Sequence, residues 1–504
     1  MATHSLVNDI IEHILIHYRW IFVCFFLLPL SLVYDVFYYI RAWIIFHLNS
    51  APKAHAKKVR QVQDQVKLWK LEGANRQMCT ARPGWQTMSF RQPKYKSSFF
   101  NVNVNLVDIV NLDIKRQVVK VEPLVTMGQL TAVLEPLGWT IPVLPELDDL
   151  TVGGLVMGTG IETSSHKFGL FQHICISYEL VLSSGERITC SKEENADLYY
   201  SVPWSYGTLG FLTAVEIMVI PANRFVKLEY YPARTLDEAV TLFEEATRKT
   251  ENNEFVEGIV FSKNLSVIMV GNMVTCAEPD KVNQIGRWYK PWFFKHIESL
   301  SQQGPSIEYI PLRHYYHRHS RSIFWEIQEI IPFGNHPVFR YLLGWMIPPK
   351  VSLLKLTQPP AVKKLYEEKH VIQDMLVPLD KLKESLLVFD KEVQIYPLWL
   401  CPFILESNPG MVHPEKDEAE LYVDIGSYGI PLAPNYNAEK TTRSLEEFVR
   451  KVKGFQMLYA DTYMTREEFR KMFDHKLYDK LREKYDCKTA FPEVYDKISR
   501  HARS

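Results

Sequence analysis

The sequence predicts an α+β protein of several domains, held at its N-terminus by one long apolar segment. Three observations predict it. The 504-residue chain is too long for one ordinary domain and suits roughly two to four. Short β-rich runs are mixed with short amphipathic helices from Met78 onward, the pattern of an α+β chain. The segment Trp20 to Ile40 is almost wholly apolar. With 47% apolar and 23% charged residues the balance is that of a globular protein. The 13% aromatic share suits pockets for large apolar or planar ligands, and membrane interfaces. A formal net charge of zero argues against nucleic acid as a partner. The seven cysteines form no C-x-x-C pair, which argues against a disulfide framework or a zinc site and fits a reducing compartment.

Trp20 to Ile40 is about as long as a helix that crosses a bilayer. Trp20, Tyr38, Tyr39 and Trp43 are its interfacial anchors, Pro29 is a kink, and Asp35 sits uncomfortably deep. A buried core helix, or a re-entrant hairpin around Pro29, remains the alternative to a span. Arg41, Lys53, Lys57, Lys58, Arg60, Lys67 and Lys70 follow the segment and only Arg19 precedes it, which places the long C-terminal part in the cytosol.

Ala54 to Glu72 reads as a charged helix with Val59, Val62, Val66 and Trp69 on one stripe. Strands follow at 102–106 and 117–121, then a helix from Met127 to Leu137 closed by Gly138. Ile174 to Leu182 and Arg187 to Cys190 form a hairpin, and a strand over 214–220 stops at Pro221. Further on come a helix at 235–248, a strand at 266–274, loops from Trp288 to Pro360, helices at 361–370 and 379–389, and a strand at 419–425. The last fifty residues are helical and charged, at 465–473 and 476–485.

The run from Thr151 to Thr163 holds four glycines, Gly153, Gly154, Gly158 and Gly160. Such a cluster marks a tight turn or a close backbone approach to a partner, often the phosphates of a cofactor. Thr159 stands where a P-loop needs lysine, and Thr163 where a Rossmann fingerprint needs its third glycine. A nucleoside triphosphatase and a nicotinamide-binding Rossmann domain are therefore both disfavoured. A glycine-rich turn between buried strands remains open.

Longer strings carry a resemblance. TVGGLVMGTGIETSSHKFGLF, followed by a hairpin across Ser183-Ser-Gly185, is similar to the flavin domain of the vanillyl-alcohol-oxidase type. YIRAW, CTARPGW, VEPLVTMGQ, PVLPELDDLTVGGL, YKPWFFKH, YIPLRHYYHRH, RSIFWE, YPLWLCPF and GFQMLYAD together resemble the animal Δ24-sterol reductase family, from about His17 to the C-terminus. The resemblance implies an α+β fold with a two-subdomain FAD-binding domain of the vanillyl-alcohol-oxidase (PCMH) type, an α+β cap and an N-terminal transmembrane helix. The expected limits are 1–45 for the membrane anchor, 46–222 for the FAD domain, 223–450 for the cap, and 451–504 for a segment returning to the FAD domain. The implied activity is NADPH-driven reduction of the Δ24 double bond of a sterol at the endoplasmic reticulum membrane. The FAD segment it implies comprises Thr151, Val152, Gly153, Gly154, Leu155, Val156, Met157, Gly158, Thr159, Gly160, Ile161, Glu162 and Thr163. Where relatives attach flavin to a histidine, the loop Cys79 to Trp85 has none, so non-covalent FAD is expected; His166 is the remaining attachment candidate.

An isolated trisubstituted alkene needs a proton at C24 and a hydride at C25, hence a positioned acid in a dry pocket. Tyr459 and Asp461 are candidates, as is His314 in the cluster Arg313 to His319, whose spacing is not that of a metal site. Glu146, Asp148 and Asp149 either orient loops near the flavin or face water. Trp288 to Lys295 and Phe339 to Ile347 either touch the bilayer or pack in the cap. A flavin oxidase of an alcohol or sugar lactone, or a silent sterol-binding scaffold, are the competing functions.

Overall fold

A computed structural model describes residues 13, 15, 18–48, 50–86, 94–347, 350–356 and 360–500; the first twelve residues of the expected anchor lie outside them. Two antiparallel sheets carry the fold. The first has five strands in the order Ile109–Asp113, Val118–Val121, Phe211–Met218, Cys175–Val181 and Arg187–Ser191. The helix Ala51–Leu71 packs on it with Val59, Val62, Val66 and Trp69, none more than 4% exposed. Its polar edge is fixed as well: His55 Nδ1 meets Glu122 at 2.8 Å, and Lys58 bridges Glu122 and Asp108.

The second sheet has eight strands, in the order Ser306–Pro311, Phe225–Ala233, Leu265–Val274, Phe255–Ser262, Leu398–Leu405, Glu420–Gly429, Val371–Pro378 and Phe455–Gln456. Side chains alternate between its faces with period two. Val256, Leu400, Val423, Ile425, Met375 and Val377 join one core with the helices Leu236–Arg248, Leu382–Glu392 and Ala438–Lys451. Phe255, Trp399, Tyr422, Tyr428 and Leu376 face the other way, into a core shared with the first sheet.

Arg318 locks the two halves together, fully buried between Glu257 of the second sheet at 2.7 Å and Glu162 of the glycine run at 3.1 Å. Burial alone would raise the Glu257 carboxyl, but Arg318 and His319 hold it below the usual range. Breaking such a pair strands a buried charge, so these contacts fix geometry even where their net stabilisation is small.

Ile109–Asp113 of the first sheet escaped the sequence reading, as did Phe225–Ala233, Phe255–Ser262, Val371–Pro378, Leu398–Leu405 and Phe455–Gln456 of the second; the strand expected at 102–106 is instead Phe100–Val102. The span read as loops from Trp288 to Pro360 instead holds an edge strand, Ser306–Pro311, and short helices including Phe293–Leu300, Glu326–Ile330 and Pro337–Leu343. Helices this short are marginal in isolation and form here because packing supplies what propensity cannot. Of the Trp288–Lys295 stretch, Trp292, Phe293 and Phe294 are at most 2% exposed and pack in the core, whereas Trp288 and Tyr289 are 38% and 36% exposed.

The last segment leaves the second sheet after Phe455–Gln456 and ends beside the first sheet. There Ser183 Oγ donates to the Tyr485 carbonyl at 2.5 Å, Arg482 donates to the Thr208 carbonyl at 3.0 Å, and Lys497 donates to that of Tyr206.

Candidate active site

Between the two sheets lies a cavity of about 630 Å³. The glycine run forms one wall. Val152–Gly158 is a short helix rather than a turn, with Thr151 extended before it and Thr159 at φ 72° after it. Glycines hide helical periodicity, which is why the run reads as a turn in sequence. Thr151, Gly153, Gly154, Leu155, Met157, Gly158, Thr159, Gly160 and Ile161 line the cavity. Val152 and Val156 are buried beneath it, and Glu162 and Thr163 turn to Arg318 and to the Tyr315 hydroxyl. Gly153 is needed for close approach, since a Cβ there would lie 2.7 Å from Pro123. Gly154 faces the cavity, where an added Cβ would meet only the Thr151 hydroxyl, at 3.2 Å.

Three cations border this wall: Arg82, Lys96 and Lys497. Burial lowers all three, Lys497 to about 8 with Lys96 contributing. No histidine or cysteine is among the described lining residues. His166 is fully buried, with Nδ1 and Nε2 each 3.0 Å from a backbone carbonyl, those of Thr163 and Asn253.

The second sheet supplies the other wall, and with it acids that the sequence reading missed. Asp374 accepts from the Tyr459 hydroxyl at 2.5 Å and from the Tyr428 hydroxyl at 2.6 Å. Burial pushes its carboxyl up to about 6, against the pull of those two bonds. Gly426 stands directly opposite Asp374 in the ladder, and its missing side chain makes room: a Cβ would sit 2.6 Å from the Tyr428 hydroxyl. Asp424, two residues back on the same face, is 0% exposed and neither carboxyl oxygen has a hydrogen-bond partner among the described residues. Burial, then repulsion from Asp374 and Glu146, holds it neutral well above the carboxylate range. Glu146 is raised by burial and by Glu162, and lines the cavity rather than facing water. Asp148 pairs with His317 at 3.0 Å, and Asp149 with Lys350. For Asp374 and Asp424 the available signal was an acid within an otherwise largely apolar strand.

Tyr459 thus lies in the site; burial and Asp374 raise its hydroxyl well above the ordinary value. Asp461 and His314 do not line the cavity. Asp461 pairs with Arg500 at 2.7 Å. His314 packs against Gly286, and burial lowers it to about 4. Among the described residues no His, Cys, Asp and Glu group could hold a metal ion.

A family described as FAD binding domain matches residues 54–191. The Delta(24)-sterol reductase of Homo sapiens is 60% identical over 494 residues, covering 98% of this chain and 96% of that protein. The Delta(24)-sterol reductase homolog of Caenorhabditis elegans is 50% identical over 98% of this chain and 97% of its own, and the Arabidopsis thaliana enzyme 37% identical over 96% and 91%. L-gulonolactone oxidase of Mus musculus is similar at 23% over 77% of this chain and 82% of that protein. With that identity over nearly its full length, and with these two walls around one cavity, the chain belongs to the Delta(24)-sterol reductase family.

Proposed function

We propose that this protein reduces the Δ24 double bond of sterol side chains with non-covalent FAD and NADPH as electron donor. It serves sterol biosynthesis at the endoplasmic reticulum membrane, with its catalytic part facing the cytosol. The observation that carries the reading is one cavity walled by a glycine-rich helix and by buried neutral acids. The residues present fit FAD. Gly154 leaves backbone bare at the cavity, and Arg82, Lys96 and Lys497 supply charge for a diphosphate. The absence of a histidine or cysteine among the described lining residues, and the engagement of both His166 nitrogens, support non-covalent binding.

Once reduced, FAD supplies a hydride. The chain's task is to hold the alkene, exclude water and deliver a proton to C24. We assign that delivery to Asp424, which lines the cavity. It is neutral, buried and without a competing hydrogen-bond partner among the described residues. Asp374, Tyr428 and Tyr459 fix the wall beside it. The apolar remainder of that wall, Trp399, Phe324, Ile327 and Ile330, suits an aliphatic side chain.

The test is anaerobic. NADPH should bleach the flavin of the purified protein, and desmosterol should restore its absorbance. Bleaching with no response to sterol, followed by rapid recovery in oxygen, would instead identify an oxidase; a protein without flavin would identify a scaffold.

A further inference from the structure

The N-terminal helix Arg19–His47 buries Val23, Cys24, Leu27, Leu28 and Ser31 of its first half against the body of the protein, and polar contacts tie it down as far as Arg41. At its start Arg19 donates to the Leu354 carbonyl at 2.8 Å, and Trp20 meets Phe333 edge-on at 5.1 Å. At mid-helix the Lys350 amide donates to Ser31 Oγ at 2.9 Å, and its ammonium pairs with Asp35 at 2.6 Å while also holding Asp149. Towards the far end Arg41 pairs with Asp108 at 2.6 Å. From Arg19 to Arg41 these anchors cover roughly 33 Å of helix, at 1.5 Å per residue. That matches the ~30 Å hydrocarbon thickness of a bilayer. A helix tied to the folded domains over this distance could cross only by drawing Asp149, Lys350 and Asp108 in with it. The same contacts account for Asp35, which has its counter-charge on the protein side.

The stripe turned away from the body is apolar and exposed: Phe26, Val33, Phe37 and Ile40 are 60%, 65%, 61% and 51% accessible. The cap turn Gly344–Met346 packs on the same helix, and next to it Tyr341, Leu342 and Trp345 are 61%, 66% and 49% exposed. We propose that the helix does not span the bilayer but lies in the plane of one leaflet, forming with Tyr341, Leu342 and Trp345 a single monotopic surface. The occupant of this surface is the boundary between headgroups and acyl chains. Tyr and Trp side chains belong at that depth, and the exposed Lys53, Lys57 and Arg60 just beyond the helix complement anionic headgroups. In the first half of the helix the inner stripe, Val23, Cys24, Leu27, Leu28 and Ser31, is already covered by protein, while Val33 to Phe37 are exposed to lipid at every position. Arg19, Leu354 and Tyr366, at the start of the helix, also line the cavity, so this end of the surface adjoins it.

Depth measurement tests this. Nitroxide labels are placed singly at Phe26→Cys, Phe37→Cys and Tyr341→Cys of the full chain, with the exposed Cys276 replaced by serine, in phosphatidylcholine–phosphatidylserine vesicles, and read by oxygen and nickel accessibility. All three should report one shallow depth. Depths graded from Phe26 to Phe37, with Tyr341 in water, would overturn the proposal in favour of a span. Spin–spin broadening with neither relaxant reaching the labels would overturn it in favour of a second copy covering the face. Flavin content of each labelled protein checks its folding. As an independent readout, a glycosylation acceptor placed before residue 1 should stay unmodified and protease-accessible in sealed microsomes; a glycosylated, protected tag overturns the proposal. Neither readout depends on turnover, so failure here leaves the reductase reading intact.

Discussion

Replacing Asp424 by asparagine isolates the proton from everything else the site does. The carboxyl is neutral in the folded protein because burial, Asp374 and Glu146 all disfavour its charge. Asparagine keeps that neutrality and nearly the same volume. No hydrogen bond is lost with it, since neither oxygen has a partner among the described residues. Folding stability should therefore shift by less than about 1 kcal/mol, and flavin content and its reduction by NADPH should not change. What disappears is the transferable proton. General acids contribute roughly 10²- to 10⁴-fold, which is about 3–5 kcal/mol of barrier. Stopped-flow spectroscopy separates the steps: flavin bleaching by NADPH at the native rate, then reoxidation by desmosterol slowed by that factor. In the native protein the sterol step should slow as pH rises through the apparent pKa values of the aspartate pair, of which Asp374 contributes one near about 6, because the protonated form is the competent one. An Asp424→Asn protein that reoxidises with sterol at the native rate would refute the assignment and return the role to Tyr459.

Other outcomes follow from the same walls. Gly154→Val projects two methyl groups into the cavity, so flavin retained after gel filtration should fall at least about tenfold, with folding preserved; full flavin content would refute the glycine reading. Gly426→Ala places a Cβ 2.6 Å from the Tyr428 hydroxyl, so the Tyr428–Asp374 bond should break and the sterol step alone should slow, read by the same stopped-flow split. His370 is raised from 6.5 to about 9 by Glu326 and Glu329, which overcome its burial. Its contribution to stability, up to about 3 kcal/mol, is complete below pH 6.5 and lost as pH climbs through 9. Urea melts of His370→Gln should lack that slope.

Local features were the most legible in the sequence. The helix Ala51–Leu71 has a strict apolar stripe, and the hairpin joining Cys175–Val181 to Arg187–Ser191 has turn chemistry at its tip; both appear within a few residues of where pattern places them. The glycine run stood out in the sequence and forms a cavity wall, while its helical form stayed hidden because glycine carries no periodic side-chain signal. What stayed illegible depends on partners far away in the chain. Val371–Pro378 becomes a strand because Glu420–Gly429 and Phe455–Gln456 pair with it, and nothing within eight residues records that. Asp374 and Asp424 each look like a surface acid until the ladder puts them on an inward face. Tyr459 was found because it lies in a distinctive string, whereas its neighbour Asp461 turns to Arg500, a choice set by the fold of the C-terminal segment.

The two strands bearing the aspartates interleave two kinds of residue. Odd positions, Met375, Val377, Val423 and Ile425, sit in the helix-backed core, while even positions, Ile372, Asp374, Asp424 and Tyr428, line the cavity. A saturation scan along either strand should alternate in phenotype at every step, with odd positions lowering the amount of folded protein and even positions lowering turnover per molecule. Inserting one residue in either strand would swap the two sets at once, placing carboxyls in the helix layer and valines before the substrate. Inherited defects in such a stretch would then divide by parity: those at odd positions open to rescue by a small molecule that stabilises the fold, and those at even positions beyond its reach.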